Sequence, residues 1–376
     1  MSVQRLYLAN LLTSGSNEDL KTRPKFLEDG KVFSLETFYK ANKVEKILKA
    51  YPNVKILLDS GAHTLIHEAI KKGIEKNIEG KEKTSEIVFD KDFFDSLPSD
   101  IQIQISPNVS KTTEFGGFLR GSTSRSIIDW SYFDTKEVKN FLERYVEYIN
   151  RNQKQLYQYV NLDVIFNPER TWDHQKYLES CGLNPIPVYH FGEDLKWLKK
   201  YMDNYDYIGI GGLGQDITKE KFVIHHGDPT FKLIRESKQD IKTHGFAVTS
   251  LDLMLRYNWY SVDSTSWVKF AAYGTVLVPR YDSNTKKYDY SKNVLLVSVS
   301  YRTKIGIATR PHFTITHPKE EVQQIQNYFK FKGWKEEDLE NNWNARVNAN
   351  ITYYRDLALF LRNHKGEEIK IQKRFF

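Results

Sequence analysis

The sequence has one cysteine, Cys181, in 376 residues, and that scarcity excludes two features. No disulfide can form within the chain, and no zinc site can be built on cysteines. Long hydrophobic runs are also missing: no apolar stretch approaches the ~20 residues that a membrane-spanning helix needs. The start, Met-Ser-Val-Gln-Arg, has no apolar signal core, so a cytoplasmic protein without a membrane partner is expected. Internal repeats and low-complexity segments are absent. His225, His226, His312 and His317 show no metal-ligand spacing with acids or one another, so no metal is expected.

What the chain does have is core material. Hydrophobic residues make up 40% and aromatics 14%, enough for a large interior rather than global disorder. Lys and Arg number 55 against 48 Asp and Glu, a net charge of +7. That excess suits a polyanionic partner, though many basic proteins have none. The length fits one (β/α)8 barrel of ~250 residues with insertions and an appendage; two medium domains also fit.

Short apolar runs punctuate the chain: Val54–Leu58, Tyr159–Ile165, Pro185–His190, Tyr207–Ile210, Lys242–Ala247, Tyr260–Val262 and Gly274–Val278. Continuous, β-branched and brief, they read as buried parallel strands. Helix-like segments lie between several of them: Gly61–Gly73, Thr135–Asn150, Asp194–Tyr201 and Thr249–Asn258. Thr135 offers a helix start without a full capping box, and Thr249 or Ser250 could cap the last. Strand then helix, repeated, implies an α/β fold with right-handed crossovers, here a closed (β/α)8 TIM barrel rather than an open sheet. Residues 1–310 are expected to form the barrel, with a charged insertion at about 71–105. Residues 311–376 are expected to form a basic, helical appendage; the alternative is that they supply the last barrel helices.

In such a barrel, chemistry sits where strands end. Asp59, Asp163, His190 and Asp263 close apolar runs, Gly211 and Gly212 close another, and His244 lies within a sixth. Each has a structural alternative. An Asp after a strand can cap the next helix, and glycines can simply supply positive φ at a turn. A buried carboxylate costs several kcal/mol unless paired, and three at successive strand ends are harder to explain as unrelated caps.

Read in order, these residues resemble a known family. Leu57-Leu58-Asp59-Ser60-Gly61-Ala62 resembles the Asp-Ser-Gly-Gly segment of tRNA-guanine transglycosylases. Asn161-Leu162-Asp163 is similar to their base-reading Leu-Asp segment, and Ile210-Gly211-Gly212-Leu213 to their Gly-Gly-Leu-Ala loop. His244-Gly245-Phe246-Ala247-Val248-Thr249 resembles their His-Leu-Met-Gly-Val-Gly strand, and Asp263 falls where the family has its nucleophile.

The resemblance implies a double displacement, with Asp263 attacking the sugar C1′ and Asp59 as general acid and base. Asp163, His190, Gly211, Gly212, His244 and Ser60 would bind a base flipped from its stack. The family's zinc cluster, three cysteines and a histidine, cannot be built here, so no cofactor is expected. Its second glycine is replaced by Ala62. Both departures resemble the DpdA-type DNA transglycosylases of phages and bacterial DNA-modification clusters. The expected activity is therefore exchange of guanine in DNA for a free 7-deazaguanine of the preQ0 type, in the host cytoplasm if the protein is phage-encoded. A tRNA substrate, a non-catalytic nucleic-acid-binding relative and a sugar hydrolase are the alternatives. Lys330, Lys332, Arg346 and Arg355 are candidate nucleic-acid contacts, though the same residues suit a solvated basic face.

Overall fold

A computed structural model of the protein describes residues 3–15, 21–79, 128–165, 167–212, 223–237, 240–300 and 311–364. In chain order the elements begin with β1 (Arg5–Ala9), β2 (Phe33–Thr37), α1 (Ala41–Ala50), β3 (Ile56–Asp59) and α2 (Ala62–Glu79). Next come α3 (Lys136–Asn152), β4 (Leu156–Tyr159), α4 (Pro168–Ser180), β5 (Val188–His190), α5 (Leu195–Met202) and β6 (Tyr207–Gly211). Then follow α6 (Asp228–Glu236), β7 (Lys242–Gly245), α7 (Leu251–Arg256), β8 (Ser261–Ser264), α8 (Ser266–Ala272) and β9 (Thr275–Val278). The chain continues through β10 (Arg280–Asp282), β11 (Lys287–Asp289), β12 (Leu295–Ser298), α9 (Phe313–Thr316), α10 (Lys319–Phe331), α11 (Glu336–Asn341) and α12 (Trp343–Asn363).

The class is α/β, and β1 to β8 belong to one eight-stranded sheet. The chain divides into two compact units. The first contains residues 1–36, 42–56 and 242–376. Its strands run β2-β1-β8-β7, with Tyr7 opposite Phe33 on one side and Asp263 on the other, all parallel. The second contains residues 37–41 and 57–241. There β5 pairs in parallel with β6, His190 opposite Gly211. Just past β4, Val160 donates to Leu58 O at 3.0 Å and forms a parallel bridge with Ile186. That bridge ties the end of β4 to the approach to β5.

Several helix starts have a local chemical cause. Thr135 caps α3 by accepting from Val138 N, Asn167 caps α4 ahead of Pro168, and Asp194 caps α5 through Lys196 N. Each satisfies an amide that the first helical turn leaves unpaired. Ser250 stands at the N-cap of α7 but its side chain makes no capping bond. Along α3, Val138, Phe141, Leu142, Tyr145, Tyr148 and Ile149 are buried, at the three- and four-residue spacing of an amphipathic helix.

Three expectations need correction. The run Gly274–Val278 is a strand, but β9 pairs antiparallel with β12, not within the parallel sheet. A run buried on both faces looks the same in either setting. The run Tyr159–Ile165 is extended only at its start; β4 ends at Tyr159 and the segment bearing Asp163 is a loop. Lys71–Glu79 continues α2 instead of opening an insertion, and the rest of that expected insertion lies outside the described residues. β1 and β2 were not anticipated.

The C-terminal helices pack within the first unit. α12 lies against α8, β9 and β1. Val276, Val278, Leu295, Val297, Phe313, Ile325, Tyr328, Phe329 and Leu339 form a core shared by the β9–β12 hairpin and these helices. Burying each such side chain contributes about 1.5–3 kcal/mol. Among the described residues no helix is long and apolar enough to cross a membrane.

Candidate active site

Asp59 is the last residue of β3 and half-buried, and Ser60 beside it is fully buried. Ser60 Oγ has no hydrogen-bond partner among the described residues. Gly61 then turns the chain with φ +86°, and a Cβ there would overlap the Tyr39 ring. The Asp-Ser-Gly segment thus requires its glycine for both backbone and space. Asp59 also acts at range on buried Tyr145, whose hydroxyl donates to Val160 O at 2.7 Å. Burial first, then the Asp59 charge, push that phenol well above its ordinary range.

The loop carrying Asp163 is pinned from α4. Buried Asn161 donates its side-chain amide to Thr171 O at 2.8 Å. Val164 N donates to Thr171 Oγ1 at 2.9 Å, and His174 Nδ1 donates to Leu162 O at 2.7 Å. Burial lowers the His174 pKa, consistent with a neutral ring whose Nδ1 carries the proton. Asn161, Leu162 and Val164 are thereby held without regular structure on either side of Asp163.

His190, the last residue of β5, meets Asp163 directly: Nε2 lies 2.8 Å from Asp163 Oδ2. On its other side Nδ1 lies 3.1 Å from Glu193 Oε1. Burial alone would depress the imidazole, but the hydrogen bonds to Asp163 and Glu193 overcome it and push the pKa up to about 10. Glu193 was not anticipated. Its signal was the spacing His190-Phe191-Gly192-Glu193, an acid three residues beyond a strand-end histidine with a glycine before it. Gly211 lies opposite His190, and a Cβ on it would fall 2.9 Å from His190 Cδ2. Gly211 is therefore accounted for by the ring it seats. Gly212 has φ +89° and would press a Cβ to 3.2 Å from Phe191 N.

In the first unit, Asp263 lies within β8 and is 6% exposed. Its Oδ1 accepts the Ala247 amide at 2.9 Å. Ala247 has φ 56°, left-handed backbone that costs an L-residue about 1–2 kcal/mol. A hydrogen bond to a charged group contributes about 1.5–3 kcal/mol, so the bond offsets the strain. His244, on β7, is fully buried below Asp263. Its Nδ1 sits 2.7 Å from Ser261 Oγ. Its Nε2 is 3.4 Å from Asp263 Oδ1, close enough for electrostatic attraction but not aligned as a hydrogen bond. Tyr7 and Phe246 pack edge-on against the ring at 5.7 and 4.5 Å. His244 is thus a support for Asp263, enclosed on its remaining sides by aromatic rings.

The candidate nucleic-acid contacts separate. Arg346 is buried and donates to the carbonyls of Ala271, Leu339 and Glu340 at 2.8–3.0 Å. That expectation is corrected: its guanidinium closes helix ends and holds α12 in place. Lys332 pairs with Asp356 at 2.6 Å, and Arg355 pairs with Asp29. Lys330 is exposed. Among the described residues no three His, Cys, Asp or Glu side chains converge as metal ligands.

Neither a protein-family match nor a match to a curated protein was found for this chain.

Proposed function

We propose that this protein is a DNA guanine transglycosylase, replacing a guanine in DNA with a free 7-deazaguanine. One observation carries the reading. Functional-type residues recur at the carboxyl ends of parallel strands within each unit: Asp59 ends β3, His190 ends β5 and Gly211 ends β6 in the second, and Asp263 lies in β8 in the first. That is where (β/α)8 enzymes carry their chemistry. The Val160–Ile186 bridge supports closure of the strands into such a barrel.

In this reading Asp263 Oδ2, which has no hydrogen-bond partner among the described residues, attacks C1′ of the target nucleotide. The C1′–N9 bond breaks, and the electron pair leaves with guanine, which takes a proton from Asp59. A sugar ester on Asp263 results. The incoming base then gives its N9 proton to Asp59, its nitrogen attacks C1′, and the ester bond breaks to regenerate the carboxylate. The Ala247 amide and the buried His244 restrain Asp263, so that little reorganisation is needed in the oxocarbenium-like transition state. Asp163 accepts hydrogen bonds from the N–H groups of the guanine edge.

Incubation with DNA and radiolabelled guanine or 7-deazaguanine tests this. Label should enter DNA, and the protein should be trapped as a covalent adduct. Label entering tRNA but no DNA would overturn the DNA assignment, and hydrolysis of a glycoside without base exchange would overturn the reaction.

A further inference from the structure

We propose that Glu193 is a positioning residue for the base-reading carboxylate: by gripping Nδ1 of His190 it aims Nε2 at Asp163 Oδ2 and leaves Asp163 Oδ1 to accept from the base. This rests on the role given to Asp163 above. The grip itself is built into one turn. Glu193 N donates to His190 O at 3.1 Å, closing a four-residue turn whose third residue, Gly192, has φ +92°. That is the glycine position of a type II turn. The turn folds the Glu193 carboxylate back onto the residue that begins it. Oε2 accepts the His190 backbone amide at 3.2 Å while Oε1 faces Nδ1 at 3.1 Å. Tyr189 Oη donates to Glu193 O at 2.9 Å and braces the turn from β5.

The chemistry of the contacts determines the protonation of the ring. A carboxylate oxygen only accepts, so an imidazole bonded to one at each nitrogen donates from both. His190 is then an imidazolium with no nitrogen left for a ligand. Its side chain is 5% exposed, that of Glu193 4% and that of Asp163 11%. Of the three, Asp163 is the most open, and its Oδ1 has no hydrogen-bond partner among the described residues. The expectation that His190 touches the base directly gives way to an indirect role. The other titratable groups facing this cluster are Tyr201 on α5, whose hydroxyl is buried and has no hydrogen-bond partner among the described residues, Tyr145 on α3, Tyr189 on β5 and His174 on α4. Tyr201, Tyr145 and His174 lie within electrostatic range of Asp163, and Tyr189 within that of Glu193.

The test combines a spectroscopic and a kinetic measurement. Ring 15N resonances of His190, assigned by their loss in His190→Gln, are followed from pH 5 to 10 in the wild type and in Glu193→Gln and Glu193→Ala. The wild-type ring should stay doubly protonated beyond pH 8. Loss of one charged hydrogen bond should lower its midpoint by about 1–2 units in either variant. In the exchange assay, KM for the free base should rise about tenfold while kcat changes less than about twofold, because the residue acts on base binding. A singly protonated ring at pH 7 in an exchanging wild type overturns the proposal, as does an unchanged KM in a folded variant. If both variants fail to fold, the wild-type titration alone decides. Absence of exchange with a doubly protonated His190 overturns the transglycosylase reading instead, and leaves the hold of Glu193 on His190 standing.

Discussion

Asp263, in β8 of the first unit, and Asp163, in the loop after β4 of the second, are both acids, yet their surroundings differ in kind. Asp263 is restrained by a backbone amide, and its histidine neighbour, His244, stands 3.4 Å away without an aligned hydrogen bond. Asp163 is engaged by an imidazole at 2.8 Å that a second carboxylate holds from behind. The first arrangement leaves one carboxylate oxygen without a hydrogen bond among the described residues, as the proposed nucleophile requires, and holds a strained backbone beside it. The second makes one oxygen a rigid acceptor and places a cation behind it. Two carboxylates thus acquire different capacities from their neighbours, the general way in which a protein divides one functional group between tasks.

Removing the proposed nucleophile should have the largest effect. Asp263→Asn keeps the shape and the Ala247 contact but should reduce base exchange by roughly 10³-fold or more, measured with labelled guanine. Asp163→Asn, by contrast, should act mainly on KM, and equal losses of kcat in both variants would erase the distinction.

The next effect is on pH dependence. The pKa of His190 is raised in the folded protein to about 10 from an ordinary 6.5. Folding therefore takes up a proton there once the pH exceeds 6.5. The resulting stability is fully present below pH 6.5 and is lost as the pH rises through about 10. Urea titrations between these limits should show wild-type stability falling with pH and His190→Gln nearly flat across the window. Parallel slopes would mean that the ring is not charged.

Smaller effects probe the backbone around each acid. Gly211→Ala puts a methyl 2.9 Å from His190 Cδ2 and should cost about 1–3 kcal/mol while weakening base binding. Calorimetry and denaturant unfolding read both changes. Ala247→Val places a β-branched residue at φ 56° and should cost about 1–2 kcal/mol beyond alanine. It should lower kcat with little change in KM for the base, the reverse of Glu193→Gln. A matching kinetic signature for the two variants would remove the contrast between the sites.

Several features were legible from residue patterns. The α3 helix and its Thr135 cap followed from apolar spacing and a polar start. The strand runs ending in Asp59, His190 and Gly211 were legible because a buried strand must stop where a polar group appears. Other features were not. β9 resembled its neighbours because apolar burial does not record strand direction. Arg346 looked like surface charge, since the carbonyls that receive it lie on two segments, α8 and α11, brought against α12 only by folding. Glu193 was overlooked because a His-x-Gly-Glu turn has meaning only once its carboxylate is seen folded back on the ring.

Composition and periodicity determined the α/β class, the absence of internal disulfides and the place of Asp59 at a strand end, because each is a local property of chain chemistry. What each acid can do was decided by tertiary structure. A left-handed alanine aims an amide at Asp263, and a glycine on β6 makes room for the ring that holds Asp163. Those are contacts between residues distant in sequence, and their energies depend on distances that sequence order does not contain.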